Sequence, residues 1–300
     1  MIEVCLPGTG GMMPTEHRWL SCCWIELQGK AILIDCGEGT QIALKKSRCK
    51  ISHLDLILLT HFHADHIAGL LGLLLTLGNY GKKDPLKIMG PKGLAKVMDA
   101  ILVMAPVLPY PLIVEELESS IEAEFSYDGI EFSTLPLKHG IPCLGYCMTV
   151  KRKSIFNPLK AEALGVPKTL YKVLHEGKPV QLADGRIIEP QFVLDGERAP
   201  IKICYMTDTA KVESMSQFAF GADLLISEGM YAEDEKHEKM TEKGHMLFSD
   251  SGELAQEASV KELWLTHFSP ALTKPEQFID RAQQPFFQTI IAFDGIRKSF

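Results

Sequence analysis

Residues 60–66 read Thr-His-Phe-His-Ala-Asp-His, so three imidazoles and one carboxylate follow directly on an apolar run. Imidazole nitrogen and carboxylate oxygen are usual ligands of zinc. On a loop, His61 and His63 can point the same way, and Asp65 and His66 then turn towards a second position. This single segment can therefore serve two adjacent metals. Two metals need more ligands than it carries, and His139, Asp208 and His267 each close a strand-like run, in STLPLKH, ICYMTD and LWLTH. Strand ends on one edge of a sheet are common places for ligand sites. A pair of metals activates water and clamps the attacking and leaving oxygens of an in-line displacement, which makes a phosphodiester or an amide the expected target. The same ligand types also suit manganese or iron.

The elements that must position these residues alternate along the chain. Ile2–Cys5 and Ser21–Leu27 read as strands, and the turn at 28–30 joins the second to Ala31–Asp35 as a hairpin. Glu38–Lys46 reads as a helix and the continuous apolar run Leu54–Thr60 as a buried strand. Ile67–Leu77 is the expected helix after it, and Pro91 is expected to open another helix. Strands are expected at Leu86–Met89, Ile121–Phe125, Ile130–Leu137 and Leu144–Val150, then at Ile201–Met206, Ala222–Ile226, Leu263–Thr266 and, as the last, Thr289–Phe293. Ser249 is expected to cap a helix reaching Ala258. Meandering strands in the first half and βα units in the second predict an α/β chain folded as a layered αββα sandwich. Residues 151–200 differ: apolar runs are shorter, and nine Lys/Arg stand against six Asp/Glu, a local excess of +3 in a chain of net charge −7. They are expected to form one inserted arm within a single domain spanning 1–300.

Composition bounds the function. The acidic balance argues against a body coated in basic surface for nucleic acid, though not against a local basic patch. No apolar run reaches 18 residues, and Ile67–Leu77 is too short to cross a bilayer, so no membrane partner is expected. The N-terminus lacks a basic region followed by a long apolar stretch, which predicts a cytoplasmic protein. Eight cysteines without a CxxC pair are expected to be reduced and structural.

The HxHxDH run followed by a later His, Asp and His resembles the metallo-β-lactamase superfamily, and more closely the ribonuclease Z family, zinc endonucleases that process tRNA 3′ ends. The resemblance runs through LIDCGEGTQ at 33–41, GPKG at 90–93, HGIPCLGY at 139–146, Asp208-Thr209, LLISE at 224–228 and LTHFSP at 265–270. ALGVP at 163–167 and LADGR at 182–186 look like that family's arm. The resemblance implies a metallo-β-lactamase αββα fold and two zinc ions per chain. It implies that His61, His63 and His139 hold one ion and Asp65, His66 and His267 the other, with Asp208 bridging. It implies that Asp65 accepts a proton from the attacking water, that His245 assists the leaving oxygen, and that Glu228 orients His245. Asp35 is expected to support the metal loop by hydrogen bonding. His17, His53, His175 and His237 are read as surface or structural. A tRNA precursor is the implied substrate and a homodimer the implied assembly.

The departures fall on segments the family uses for its substrate. Ser227-Glu-Gly-Met230 stands where the family commonly has His-Glu-Ala-Thr, Met246-Leu247 where it has Ser-Thr, and Ala271-Leu272 where it has Arg-Tyr. Glu16 and Trp19 stand where a basic residue and an Asn are expected, and the arm's Gly-Pro pair is replaced near Lys168-Thr169. Losing positive charge there weakens phosphate binding. Two other readings follow: a hydrolase of the same fold acting on a small phosphodiester, and an RNA-binding protein with metals but little turnover.

Overall fold

A computed structural model of the chain describes residues 1–232 and 242–300. In chain order its strands are β1 (Ile2–Gly8), β2 (Cys22–Leu27), β3 (Lys30–Ile34), β4 (Leu54–Leu58), β5 (Leu86–Pro91), β6 (Leu112–Leu117), β7 (Ala123–Tyr127) and β8 (Ile130–Lys138). They continue with β9 (Pro142–Arg152), β10 (Val180–Gln181), β11 (Ile187–Ile188), β12 (Arg198–Met206), β13 (Leu224–Glu228), β14 (Leu263–Thr266), β15 (Thr289–Ile291) and β16 (Ile296–Ser299). Two seven-stranded sheets result, ordered β16-β1-β2-β3-β4-β5-β6 and β15-β14-β13-β12-β9-β8-β7.

The central strands of each large sheet are apolar on both faces, as buried strands require. On β3 and β4, Leu33, Leu54 and Ile57 pack with Leu70, Leu73 and Leu77 of the helix Leu70–Asn79. The alternate residues Ile32, Ile34, Leu56 and Leu58 point the other way and are equally buried. In the second sheet Cys204, Leu225, Leu263 and Leu265 pack with Leu254 and Ala255 of the helix Phe248–Glu257. The inner faces meet through Leu144 N–H on Thr60 O (2.9 Å) and Tyr146 O–H on Leu59 O (2.6 Å). This is the expected αββα sandwich.

Several local expectations are corrected. β1 to β3 form the expected antiparallel meander, but β3 to β6 pair in parallel. Their crossovers run through the helices Thr40–Lys46, Leu70–Asn79 and Leu94–Leu102. The helix expected at 67–77 is broken into Ala64–Ile67 and Leu70–Asn79. The break sits where Gly69 meets the loop after β3, so closely that a Cβ would lie 1.9 Å from Gly37 O. Pro91 ends β5 instead of opening a helix. At 248–257 the helix cap is Leu247, whose N–H is taken by the Asp250 carboxylate, and Ser249 lies inside the helix. β6 was not foreseen, and β16, antiparallel to β1, replaces β15 as the last strand. Cys147 and Cys204, 4.1 Å apart at Cα on neighbouring strands, form a disulfide, so not all eight thiols are free; the other six are buried.

The chain divides into two compact units. One comprises 1–127, 131–148 and 202–300; the other comprises 128–130 and 149–201. The second unit has its own small core of Ala161, Val166, Leu174, Val180, Ile188 and Val193, closed by the hairpin β10–β11. Among the described residues no helix is long and apolar enough to cross a membrane.

Candidate active site

The loop after β4 begins with Thr60, which is fully buried. Its N–H and hydroxyl both donate to Asp35, at 2.8 Å and 2.9–3.0 Å. The second Asp35 oxygen takes the Nδ1 proton of His66 at 2.8 Å. One buried carboxylate thus fastens both ends of the His-Asp loop. Because the Thr60 hydroxyl proton is committed to Asp35, its oxygen can only accept from His61 Nδ1, 3.0 Å away. Gly37 lets the two loops meet, since a Cβ there would lie 2.0 Å from Asp65 O.

The second sheet contributes isolated residues. His139 follows β8, Asp208 follows β12, Glu228 ends β13 and His267 follows β14. The parallel register of β12 to β14, with Met206 beside Ser227 and Glu228 beside Thr266, brings these ends to one edge. Asp35, Asp208 and His267 all have left-handed backbones, with φ of 63°, 59° and 57°. Such a conformation costs a non-glycine residue about 1–2 kcal/mol and persists only where its surroundings enforce it. It turns each side chain sharply off the end of its strand.

The expected ligands come together in two groups. His61 Nε2 and His139 Nε2 each lie 3.1 Å from His63 Nδ1. His66 Nε2 and His267 Nε2 lie 3.3 Å apart, each 3.5 Å from Asp65 Oδ2. Asp208 stands between the groups, 3.2 Å from both His66 and His267 and 3.8 Å from His139.

This donor set fits metal cations. His61 Nδ1 donates to Thr60, His66 Nδ1 to Asp35 and His139 Nδ1 to Gly244 O (3.1 Å), so in the neutral rings all three Nε2 atoms carry bare lone pairs. His63 Nδ1 has at most one proton for two facing nitrogens. Asp208 Oδ2 is buried without a hydrogen-bond partner. Lone pairs converging without protons between them repel unless a cation joins them. The electrostatics agree. Burial, reinforced by the His66 charge, pushes His61 down to about 2, and burial also lowers His139. Burial would raise Asp65, but the His267 and His66 rings, each 3.5 Å from its Oδ2, hold it far below the usual carboxylate range. Asp208 is likewise lowered, the His267 and His66 charges overcoming burial. Burial lowers His66, but Asp208 and Asp35 outweigh it and raise the ring well above its ordinary value. A field that favours a proton there favours a metal cation too.

His245 and Glu228 form a pair at the same cavity. His245 Nδ1 lies 2.9 Å from Glu228 Oε2, and the other Glu228 oxygen accepts Thr209 N–H at 2.6 Å. Burial alone would lower His245, but the Glu228 charge and hydrogen bond raise it. The cavity, about 460 Å³, is lined by His63, Asp65, His139, Asp208, His245 and His267 together with Met12, Met230 and Lys243. Met230 closes one of the departing substrate segments, whereas Met12 and Lys243 escaped sequence reasoning. Lys243 carried a signal, standing two residues before His245; Met12 carried only its place in a glycine-rich segment.

Of the other histidines, His17, His53 and His175 do not line the cavity. His53 pairs with Glu26 at 3.1 Å, and His175 contacts Ser154 O at 2.9 Å. His17 lines a separate cavity with Glu16, Trp19, Lys46 and Arg48, while His237 lies outside the described residues. The departures also disperse. Met246 and Leu247 are fully buried, so they belong to the core and not to a substrate rim. Gly229 is demanded by Phe248, whose ring a Cβ would meet at 2.7 Å. Ala271 and Leu272 line a cavity of about 180 Å³ that holds none of the expected ligands.

Comparison with known proteins follows the same lines. A family profile described as "Anti-Pycsar protein Apyc1" matches residues 2–103. "Ribonuclease Z" of Clostridium acetobutylicum is 44% identical over 299 residues, covering 98% of this chain and 96% of its own. "Ribonuclease Z" of Clostridium kluyveri is 44% identical over 300 residues, covering 100% and 98%. Among solved structures, human tRNase Z, short form, superposes with a TM-score of 0.71 at 24% identity, covering 99% of this chain and 98% of that one. The metallo-β-lactamase fold protein YhfI from Bacillus subtilis gives 0.69 at 20%, with the same coverage.

Proposed function

Because the chain belongs to the ribonuclease Z family, we propose that it is the metal-dependent endoribonuclease that removes 3′ trailers from tRNA precursors. The observation that carries this reading is the clustering of both ligand groups, Asp208 and the Glu228–His245 pair, with His63, Asp65, His139, Asp208, His245 and His267 lining one cavity. His61, His63 and His139 would hold one divalent ion and Asp65, His66 and His267 the other, with Asp208 shared. Bound metal supplies Lewis acidity, lowering the pKa of the attacking water and neutralising charge on the phosphodiester. The chain's own groups do the rest. Asp65, fixed by Met12 N–H at 2.8 Å, accepts the water's proton. His245 keeps its Nδ1 proton on Glu228 and presents Nε2–H to the leaving oxygen. Lys243, exposed on the rim, adds positive charge for the phosphate.

Two zinc ions per chain, a homodimeric assembly and a cytoplasmic location belong to the same proposal and rest on the family resemblance. So does an arm at residues 151–200, with its excess of positive charge, as a contact for the precursor. The test is cleavage of a 3′-extended pre-tRNA, with the cut mapped to the nucleotide and Asp65→Ala protein and chelated protein as controls. A single cut after the discriminator base, absent from both controls, is expected. Metal-dependent hydrolysis of a small phosphodiester without that cut would instead mean shared chemistry turned to another substrate.

A further inference from the structure

Met12 sits at the lip of the cavity, 58% exposed, with its backbone in the left-handed region at φ 66°. Its one hydrogen bond in the site, N–H to Asp65 Oδ2, uses the backbone alone. Glycine adopts a left-handed backbone without steric penalty, whereas methionine does not. The chain uses glycine next door where contact demands it: a Cβ on Gly11 would lie 2.6 Å from His267 Cε1. At position 12 a third glycine would give the same N–H with less strain. The methionine side chain is therefore the part that needs a purpose.

Its surroundings indicate one. Among the described residues, every one lining the cavity apart from Met12 and Met230 is ionisable, and Met230 is only 1% exposed. Met12, followed by Met13 at 56% exposure, is the exposed apolar side chain among the described residues of the lining. The ionisable floor suits a phosphate; a polarisable thioether on a flexible stem suits an aromatic plane attached to it, with little regard to its hydrogen-bonding edge. We propose that Met12 is a specificity-determining residue, the platform for the unstacked nucleobase flanking the scissile phosphate, read as an aromatic face and not by sequence. The proposal rests on the reading of this site as RNA-cleaving.

Met12→Gly and Met12→Leu proteins are compared with wild type on 3′-extended pre-tRNAs that differ only in the base flanking the cut. Base–aromatic stacking sets the scale of the loss, and Met12→Gly is expected to raise KM by roughly fivefold or more, alike for all four bases, with a smaller change in kcat. Its thermal midpoint should rise as the strain is relieved. Met12→Leu should keep KM within about twofold of wild type, since it preserves apolar bulk. An unchanged KM in Met12→Gly overturns the proposal, and so does a KM increase confined to one base. Equal damage in Met12→Leu also overturns it. If wild type cuts no RNA, the RNA reading fails on its own. The KM of Met12→Gly for bis(p-nitrophenyl) phosphate, which carries two aromatic groups, then decides the role of Met12: a rise retains the aromatic platform and no change removes it.

Discussion

The two sheets build one site in different ways. The first supplies a single loop, in which His61, His63, Asp65 and His66 follow one another and Asp35 fastens both ends. The second supplies His139, Asp208, Glu228 and His267 one at a time, from four strand ends held together by sheet register. The first arrangement is short-range in sequence and can shift as a body. The second is fastened between strand ends: Thr209, next to Asp208, gives its N–H to Glu228 and accepts Lys138 N–H on its hydroxyl, while Asp208 itself is placed by the strand before it and by the charges that surround it. Short-range chemistry therefore meets long-range topology at Asp208, and substitutions there and at Asp35 test whether the division is real.

Asp208→Ala should have the largest effect, because that carboxylate faces both ligand groups. We expect kcat/KM on pre-tRNA to fall by roughly 10³-fold or more, about 4 kcal/mol of transition-state stabilisation. Metal content measured by atomic emission should fall with it. A variant that kept both ions and lost under tenfold would show that the groups work independently. Asp35→Asn should cost less, roughly 10–100-fold in metal affinity or activity, the usual scale for a group behind the ligands. An amide has one acceptor where the carboxylate had two, so it cannot take both Thr60 N–H and His66 Nδ1–H. His66 is then free to carry its proton on Nε2, where a ligand needs a lone pair. Competition with a chelator reads the change; unchanged affinity would mean that the loop holds its shape without Asp35.

The same contrast explains what the sequence made legible. The loop could be read because ligand types repeat at short spacing. His139, Asp208 and His267 could be read because each closes an apolar run, although nothing local in those runs says which edge they share. Glu228 and His245 came only from the family pattern, since a carboxylate inside a fully buried strand and a lone histidine carry no spacing signal. What stayed hidden has physical causes. The break between Ala64–Ile67 and Leu70–Asn79 comes from a long-range backbone contact at Gly69. Parallel pairing of β3 to β6 depends on the helices Thr40–Lys46, Leu70–Asn79 and Leu94–Leu102 returning the chain to the same end of the sheet, which no local pattern states. Met246 and Leu247 seemed to be rim residues because the family pattern there was read as substrate contact, and only packing shows them buried. Left-handed backbones at Asp35, Asp208 and His267 leave only a faint trace in residue type, since Asp and His enter that region more readily than most side chains but do so at few of their positions.

The smallest expected effect sharpens the comparison further, because each sheet contributes a carboxylate–histidine pair. Asp35 binds the Nδ1 proton of His66 and leaves Nε2 to face the other ligands. Glu228 binds Nδ1 of His245, and its charge raises that ring against the effect of burial, so the proton on Nε2 is retained to higher pH. A proton donor works only while protonated, so activity should decline as pH rises through the His245 pKa. Glu228→Gln removes the negative charge and lowers that pKa, which moves the basic limb of the pH–kcat profile to lower pH. At a pH below the shifted limb the variant should stay within roughly tenfold of wild type, and the gap should widen as pH rises, by about tenfold for each unit of pKa shift once both limbs are passed. A uniform loss at every pH, with the limb unmoved, would assign the limb to another group and leave Glu228 as a packing partner of Thr209. A shifted limb would show that the two sheets use the same pair of residue types for opposite ends, one exposing a lone pair and the other keeping a proton.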